Sequence, residues 1–245
     1  MSFFVLALIW GILAIYSYIA MVESCPDQEH DDYLKDVLRI LDPHLLCLLL
    51  TESCMMGAYL TFNANVSYFA QVMFHQSTMT TSVIMLTFGA LNGLGLIISK
   101  ALELGSILRV AKIAVSLYAF TGIISFALGS FFSDFIWAYL VGSFLQASTI
   151  TMALVSVNVL FFEPLRDCAG IAASFEICAK SVIPCFFSVM STQALIQFQA
   201  KGLIQFQAAA CMASGLVFSC YVLWPPDWAT DPSEKQPHDS PKSGY

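Results

Sequence analysis

Three ionisable residues stand inside otherwise apolar runs of this sequence: Glu52 in LLLTESCMMG, and Glu176 with Lys180 in SFEICAKSVI. If those runs lie in a bilayer, each charge costs about 2.5–3.5 kcal/mol to insert, so each calls for a partner or a task. Glu176 and Lys180 are four residues apart with the acid first, the order that pairs two side chains on one helix face. Two chemistries fit: an ion pair that neutralises itself inside a packed interface, or a site that takes a proton or a ligand. At 1.5 Å per residue from the ends of their runs, Glu52 and Glu176 sit about 10–12 Å deep and Lys180 about 16 Å deep, near a bilayer midplane.

Glu52, Met56, Tyr59 and Asn63 recur at helical spacing, joining an acid, a polarizable thioether and an aromatic ring on one face. That face suits an amphipathic organic cation or a proton; the plainer reading is ordinary helix packing. Around Lys180 the residues sort into an apolar arc (Ile171, Phe175, Ala179, Val182, Ile183, Phe186, Val189) and a polar one (Gly170, Ser174, Glu176, Lys180, Ser181, Pro184, Ser188). The second arc predicts a protein interface or a wet cavity. Other chemistries find no support. The four histidines lack ligand spacing, so no metal or cofactor is expected. There is no C-x-x-C, and six of the eight cysteines fall in apolar stretches, as small packing residues do. No H-E-x-x-H, G-x-S-x-G, Walker or G-x-G-x-x-G motif occurs, so no enzyme is expected.

The elements that must position these residues follow from composition. Of 245 residues, 58% are hydrophobic and 11% charged, too few charges to cover a water-exposed surface. The net charge of −7 gives no clustered basic face, which excludes nucleic acid as a partner. Spanning a hydrocarbon core takes about 20 apolar residues as a helix. Seven such stretches run from Phe3 to Met21, His44 to Ala64, Thr80 to Ser99, Val110 to Ser130, Phe135 to Phe162, Ala169 to Thr192 and Leu203 to Trp224. Backbone groups in lipid must be bonded internally and no period-2 alternation is present, so these are helices of an all-α membrane protein. The first lacks a basic n-region and a small-residue cleavage site and reads as a retained helix rather than a signal peptide.

The parts are therefore a helix at residues 1–22, a linker at 23–40, a six-helix bundle at 41–224 and a disordered tail at 225–245. With the N-terminus outside, the cytoplasmic segments collect Lys35, Arg39, Lys100, Arg109, Lys112, Arg166, Lys235 and Lys242, and the outer loops hold only Lys201. That bias predicts a multi-pass cell-membrane protein with a cytoplasmic C-terminus and an outer loop at 193–202. Asn65-Val66-Ser67 is a glycosylation triplet too near a helix end to read as more than chance. Gly89-x-x-x-Gly93 predicts close helix packing. The hexapeptide LIQFQA occurs at 195–200 and again at 203–208, too short for a structural repeat.

Two passages carry a resemblance. GALNGLGLIISKALELGSILRV (89–110) looks like the eighth helix and following cytoplasmic turn of the major facilitator superfamily, within it the Bcr/CflA-type drug efflux transporters. ALVSVNVLFFEPLRDCAGIAAS (153–174) is similar to that family's passage from helix 10 to helix 11, with Pro164 and Ala169-Gly170 in the corresponding places. The resemblance covers roughly residues 40–224 and implies that the seven stretches correspond to helices 6 to 12. Family helices 1 to 5 and their signature loop have no counterpart, and the 100–112 turn has fewer basic residues than the family pattern.

The resemblance implies proton-coupled efflux of small organic molecules by alternating access, carried out by a half or truncated transporter. Glu52, Tyr59, Asn63, Gln146, Glu176 and Lys180 would line the cavity, with the lipid bilayer, the substrate and protons as partners and a second half-transporter or second copy completing the site. A non-transporting remnant or assembly subunit is the main alternative. A seven-helix signalling receptor fits less well, since Ser99-Lys100-Ala101 stands where D/E-R-Y would and no N-P-x-x-Y closes the seventh stretch.

Overall fold

The computed structural model describes residues 33–102 and 106–224. The apolar stretch at 3–21, the acidic residues at 27–32, Gly105 and the 225–245 tail lie outside the described residues. The chain divides into Met1–Lys35 and Asp36–Tyr245, and the architecture below is that of the second unit. Every regular element among the described residues is helical.

A short helix α1 (Tyr33–Ile40) precedes α2 (Pro43–Tyr68), which starts on a local signal. Asp42 accepts a hydrogen bond from the His44 N–H at 2.8 Å, and Pro43 takes the first turn, where a missing N–H costs nothing. A π turn, Phe69–Met73, prolongs α2 well past the expected end at Ala64. Then come α3 (Thr78–Leu102), α4 (Ile107–Phe131), α5 (Ile136–Phe162), a 3-10 turn (Glu163–Cys168) and α6 (Ala169–Leu223).

Helix α6 is two arms. Gln199 leaves the helical region at φ 55°, ψ −145°, and the chain folds back there. Contacts fix the directions: the first arm runs parallel to α2, with Glu52 near Lys180 and Asn65 near Ser191. The second arm runs antiparallel to α4, where a Cβ on Gly122 would meet Cys211 and one on Gly129 would meet Ile204. No separate loop spans 193–202, contrary to expectation. The segment QALIQFQAKG contains good helix formers and no proline, so both arms stay helical up to a single turning residue. The two LIQFQA copies end one arm and begin the next. Their environments differ: Ile196 and Phe198 of the first copy are exposed, whereas Leu203, Ile204 and Gln207 of the second are buried.

Four helical stretches, Pro43–Met73, Thr78–Lys100, Ile107–Phe131 and Ile136–Leu223, are long and apolar enough to cross a membrane. The last comprises three rods, divided by the 3-10 turn and by Gln199. Helix α2 is the most enclosed and α3 the least. Large apolar side chains such as Leu86, Ile97, Phe120, Val182 and Phe186 point outward, a surface suited to hydrocarbon rather than water.

Packing depends on small residues in places the sequence did not single out. A Cβ on Gly89 or Gly93 would meet nothing within 4 Å, so the G-x-x-x-G pair faces outward and the close-packing reading is corrected. The close approach belongs to Gly95, two residues further on, where a Cβ would fall 2.7 Å from the Ser148 carbonyl oxygen of α5. Gly57 lets the Phe187 ring of the first α6 arm lie against α2; a Cβ there would stand 2.7 Å from the ring. The arcs on that arm also differ from expectation. Phe175 and Ala179 pack on the core, while Ser174 and Ser181 are exposed. Each serine satisfies itself by donating to the carbonyl four residues earlier, at 3.0 and 2.8 Å, so it needs no polar neighbour.

One end of the bundle is held by a polar contact. Arg39 donates to Asp167 Oδ2 at 2.6 Å and to the Pro164 carbonyl at 2.5 Å, and the ring of His44, a few residues on from Arg39, meets the Trp224 ring edge to face. The hydrogen bond from Arg39 holds the Asp167 carboxyl below its ordinary range. Arg39 and Arg166 thus share an end, and the Gln199 turn and Lys201 lie at the other.

Candidate functional site

Glu52, Glu176 and Lys180 come together where α2 meets the first arm of α6. The Glu52 side chain is fully buried, and its Oε2 lies 3.1 Å from Lys180 Nζ. Lys180 also donates to Glu176 Oε1, one helical turn earlier. The same oxygen accepts a 2.5 Å hydrogen bond from Asn158 Nδ2, which brings α5 into the site. Glu176 is 7% exposed and the Lys180 side chain 21%. Leu48, Leu49 and Met55 of α2, with Val157 and Leu160 of α5 and Ala172 of α6, belong to the apolar core around these charges.

The two carboxylates are not equivalent. Glu176 Oε1 accepts from both Lys180 and Asn158, whereas Glu52 is held through the Lys180 ammonium, 3.1 Å from its Oε2. The Lys180 ammonium lies between the two acids, within ion-pair distance of both. Pro184, buried one turn after Lys180, has no N–H to offer the Lys180 carbonyl, so the helix is locally short of a hydrogen bond at the site. By formal charge the cluster holds two acids and one base, a net charge of −1. One bound proton or one bound monovalent cation neutralises it, and in a low-dielectric interior a neutral cluster costs far less than a charged one.

The other expected site residues fall elsewhere. Tyr59 and Asn63 share no hydrogen bond or ion pair with the charged cluster among the described residues. Tyr59 packs on Phe88, with ring centroids 5.6 Å apart, and Asn63 donates to the Tyr59 carbonyl at 3.1 Å. Phe88 continues a column of rings through Phe62, Tyr139, Phe69 and Phe74. Gln146 lies in a second buried polar group: it donates to Ser125 Oγ at 3.0 Å and accepts from Gln207 at 2.6 Å, tying α4, α5 and the second α6 arm together. Asn65 is buried, donating to the Thr61 carbonyl at 2.9 Å and to Ser191 Oγ at 3.1 Å, an arrangement that leaves no room for a glycan. The described cysteines are all unpaired.

Sequence reasoning missed Asn158, the third anchor of the charged cluster, and Gln207, the partner of Gln146. A lone amide in the otherwise apolar run VSVNVLFF is the signal that marks Asn158. No protein-family model, curated protein or solved structure matches this chain.

Proposed function

We propose that this chain is a membrane transporter that moves small organic cations in exchange for protons. The observation that supports the reading is the three-charge cluster of Glu52, Glu176 and Lys180, buried where three helices converge and one negative charge out of balance. A purely structural ion pair needs no surplus acid. A surplus acid is what proton-for-cation exchange requires, since either species neutralises the same site.

The six rods between residues 43 and 223 act as one bundle of a major facilitator type of machine. Alternating access needs a second bundle to rock against, and a second copy of this chain supplies it. In the cell membrane, the end bearing Arg39 and Arg166 faces the cytoplasm, and the C-terminus lies on that side. A second reading, an assembly subunit without transport, draws on the Gln146–Gln207 network, which is interhelical glue with no charge to exchange.

The test uses purified protein in vesicles with an imposed pH gradient and radiolabelled benzylguanidinium, an organic cation that stays protonated near neutral pH. Uptake driven by the gradient in the wild type and lost in Glu52→Gln supports the reading. Equal uptake in both, or none above empty vesicles, rejects it.

A further inference from the structure

The asymmetry between the two carboxylates assigns them different tasks, an inference that rests on the transport reading above. We propose that Lys180 is a tethered occupant of Glu52, displaced when an organic cation carrying N–H donors binds there, and that Glu176 and Asn158 form the dock that keeps the displaced lysine.

The geometry argues for each part. Glu52 is fully buried with the Lys180 ammonium 3.1 Å from Oε2, and a carboxylate has about four acceptor positions, so a ligand with suitable donors has room to bond there. Lys180 is also bonded to Glu176. Moving its ammonium away from Glu52 therefore gives up that one 3.1 Å contact and keeps the bond to Glu176. The lysine stem is flexible, and Asn158 fixes Glu176 at 2.5 Å, so the dock stays in place as the lysine shifts. A planar guanidinium offers two parallel N–H groups to two carboxylate oxygens, matching the geometry of the Glu52 carboxylate. A quaternary ammonium has the charge but no donor, and makes no hydrogen bond to those oxygens. In this account Glu52 touches the ligand, and Glu176 and Asn158 are positioning residues.

The experiment measures equilibrium binding of benzylguanidinium and benzyltrimethylammonium to the purified full chain in detergent. Two double variants decide it: Glu176→Gln with Lys180→Gln, and Glu52→Gln with Lys180→Gln. Each leaves one carboxylate, so each keeps the wild-type net charge of −1 and differs only in which acid survives.

Removing the tethered competitor while keeping Glu52 should tighten benzylguanidinium binding by up to about fivefold over the wild type, the effect of one modest competing ion pair. The variant that keeps only Glu176 should show no saturable binding. Benzyltrimethylammonium should bind more weakly than benzylguanidinium wherever Glu52 is present. Lys180→Arg, which retains charge and fold and grips Glu52 with two N–H groups, should weaken binding. Equal affinity in the two doubles, or unchanged affinity in Lys180→Arg, overturns the assignment. The failures separate cleanly: pH-driven flux without this asymmetry rejects the division of roles alone, and the asymmetry without flux rejects transport alone.

Discussion

Replacing Lys180 by Gln strands two buried carboxylates at once, because its ammonium is the charge partner of both Glu52 and Glu176. Removing one member of a buried ion pair costs about 3–5 kcal/mol, since the surviving charge keeps its desolvation penalty. The Lys180 side chain is 21% exposed, so partial hydration places the loss at the lower end, about 3 kcal/mol. For a chain of this size that lowers the melting temperature by roughly 6–12 °C. Adding Glu176→Gln removes one stranded acid and recovers part of the loss. Adding Glu52→Gln as well gives an uncharged cluster and recovers most of it, because neutral replacements of buried ions are often harmless. The assay is thermal unfolding in detergent, following the monodisperse fraction by size-exclusion chromatography. The reasoning fails if Lys180→Gln melts with the wild type, or if the double variant is no better than the single.

Three further outcomes are expected. Gln207→Leu leaves the Gln146 carbonyl oxygen without its 2.6 Å donor and should cost about 0.6–1.7 kcal/mol in the same unfolding assay, the range of hydrogen bonds between membrane helices. Gln199→Gly should raise stability by about 1 kcal/mol, because φ 55°, ψ −145° is a region that side chains enter only under strain; a lower melting temperature would show that the side chain, not the backbone, matters there. With native thiols replaced, an impermeant maleimide applied to intact cells should label a cysteine at Lys201 and spare one at Arg166, and the opposite pattern would invert the orientation.

The helices were legible where apolar runs are bounded by charge or proline. The start of α2 at Pro43, one residue before the expected His44, and the end of α5 at Phe162, ahead of Pro164, fall close to expectation, since capping and breaking are local chemistry. The end of α2 and the 193–202 segment were not: Asn63, Asn65 and Ser67 before FAQVM, and the glutamines of QALIQFQAKG, interrupt the apolar runs while the backbone stays helical through both. The Glu176–Lys180 pair was readable from its four-residue spacing. Its link to Glu52 was not, since 124 residues separate Glu52 and Glu176, a separation obtained as 176 − 52, and only tertiary packing joins them. Gln146 and Tyr59 are polar residues in apolar runs like the charged three but sit at other helix junctions, a distinction that position along a single helix does not encode.

The central claim is that one unbalanced negative charge in this cluster is satisfied in turn by a proton and by an organic cation. Proton release on cation binding tests it most directly: purified protein in weakly buffered detergent solution, titrated with benzylguanidinium across a series of pH values while a pH-indicator dye is read. The account predicts that the wild type gives up as much as about one proton per cation bound, as linked occupancy of a single site demands, and that Glu52→Gln gives up none. Saturable binding with no proton released at any pH would contradict it.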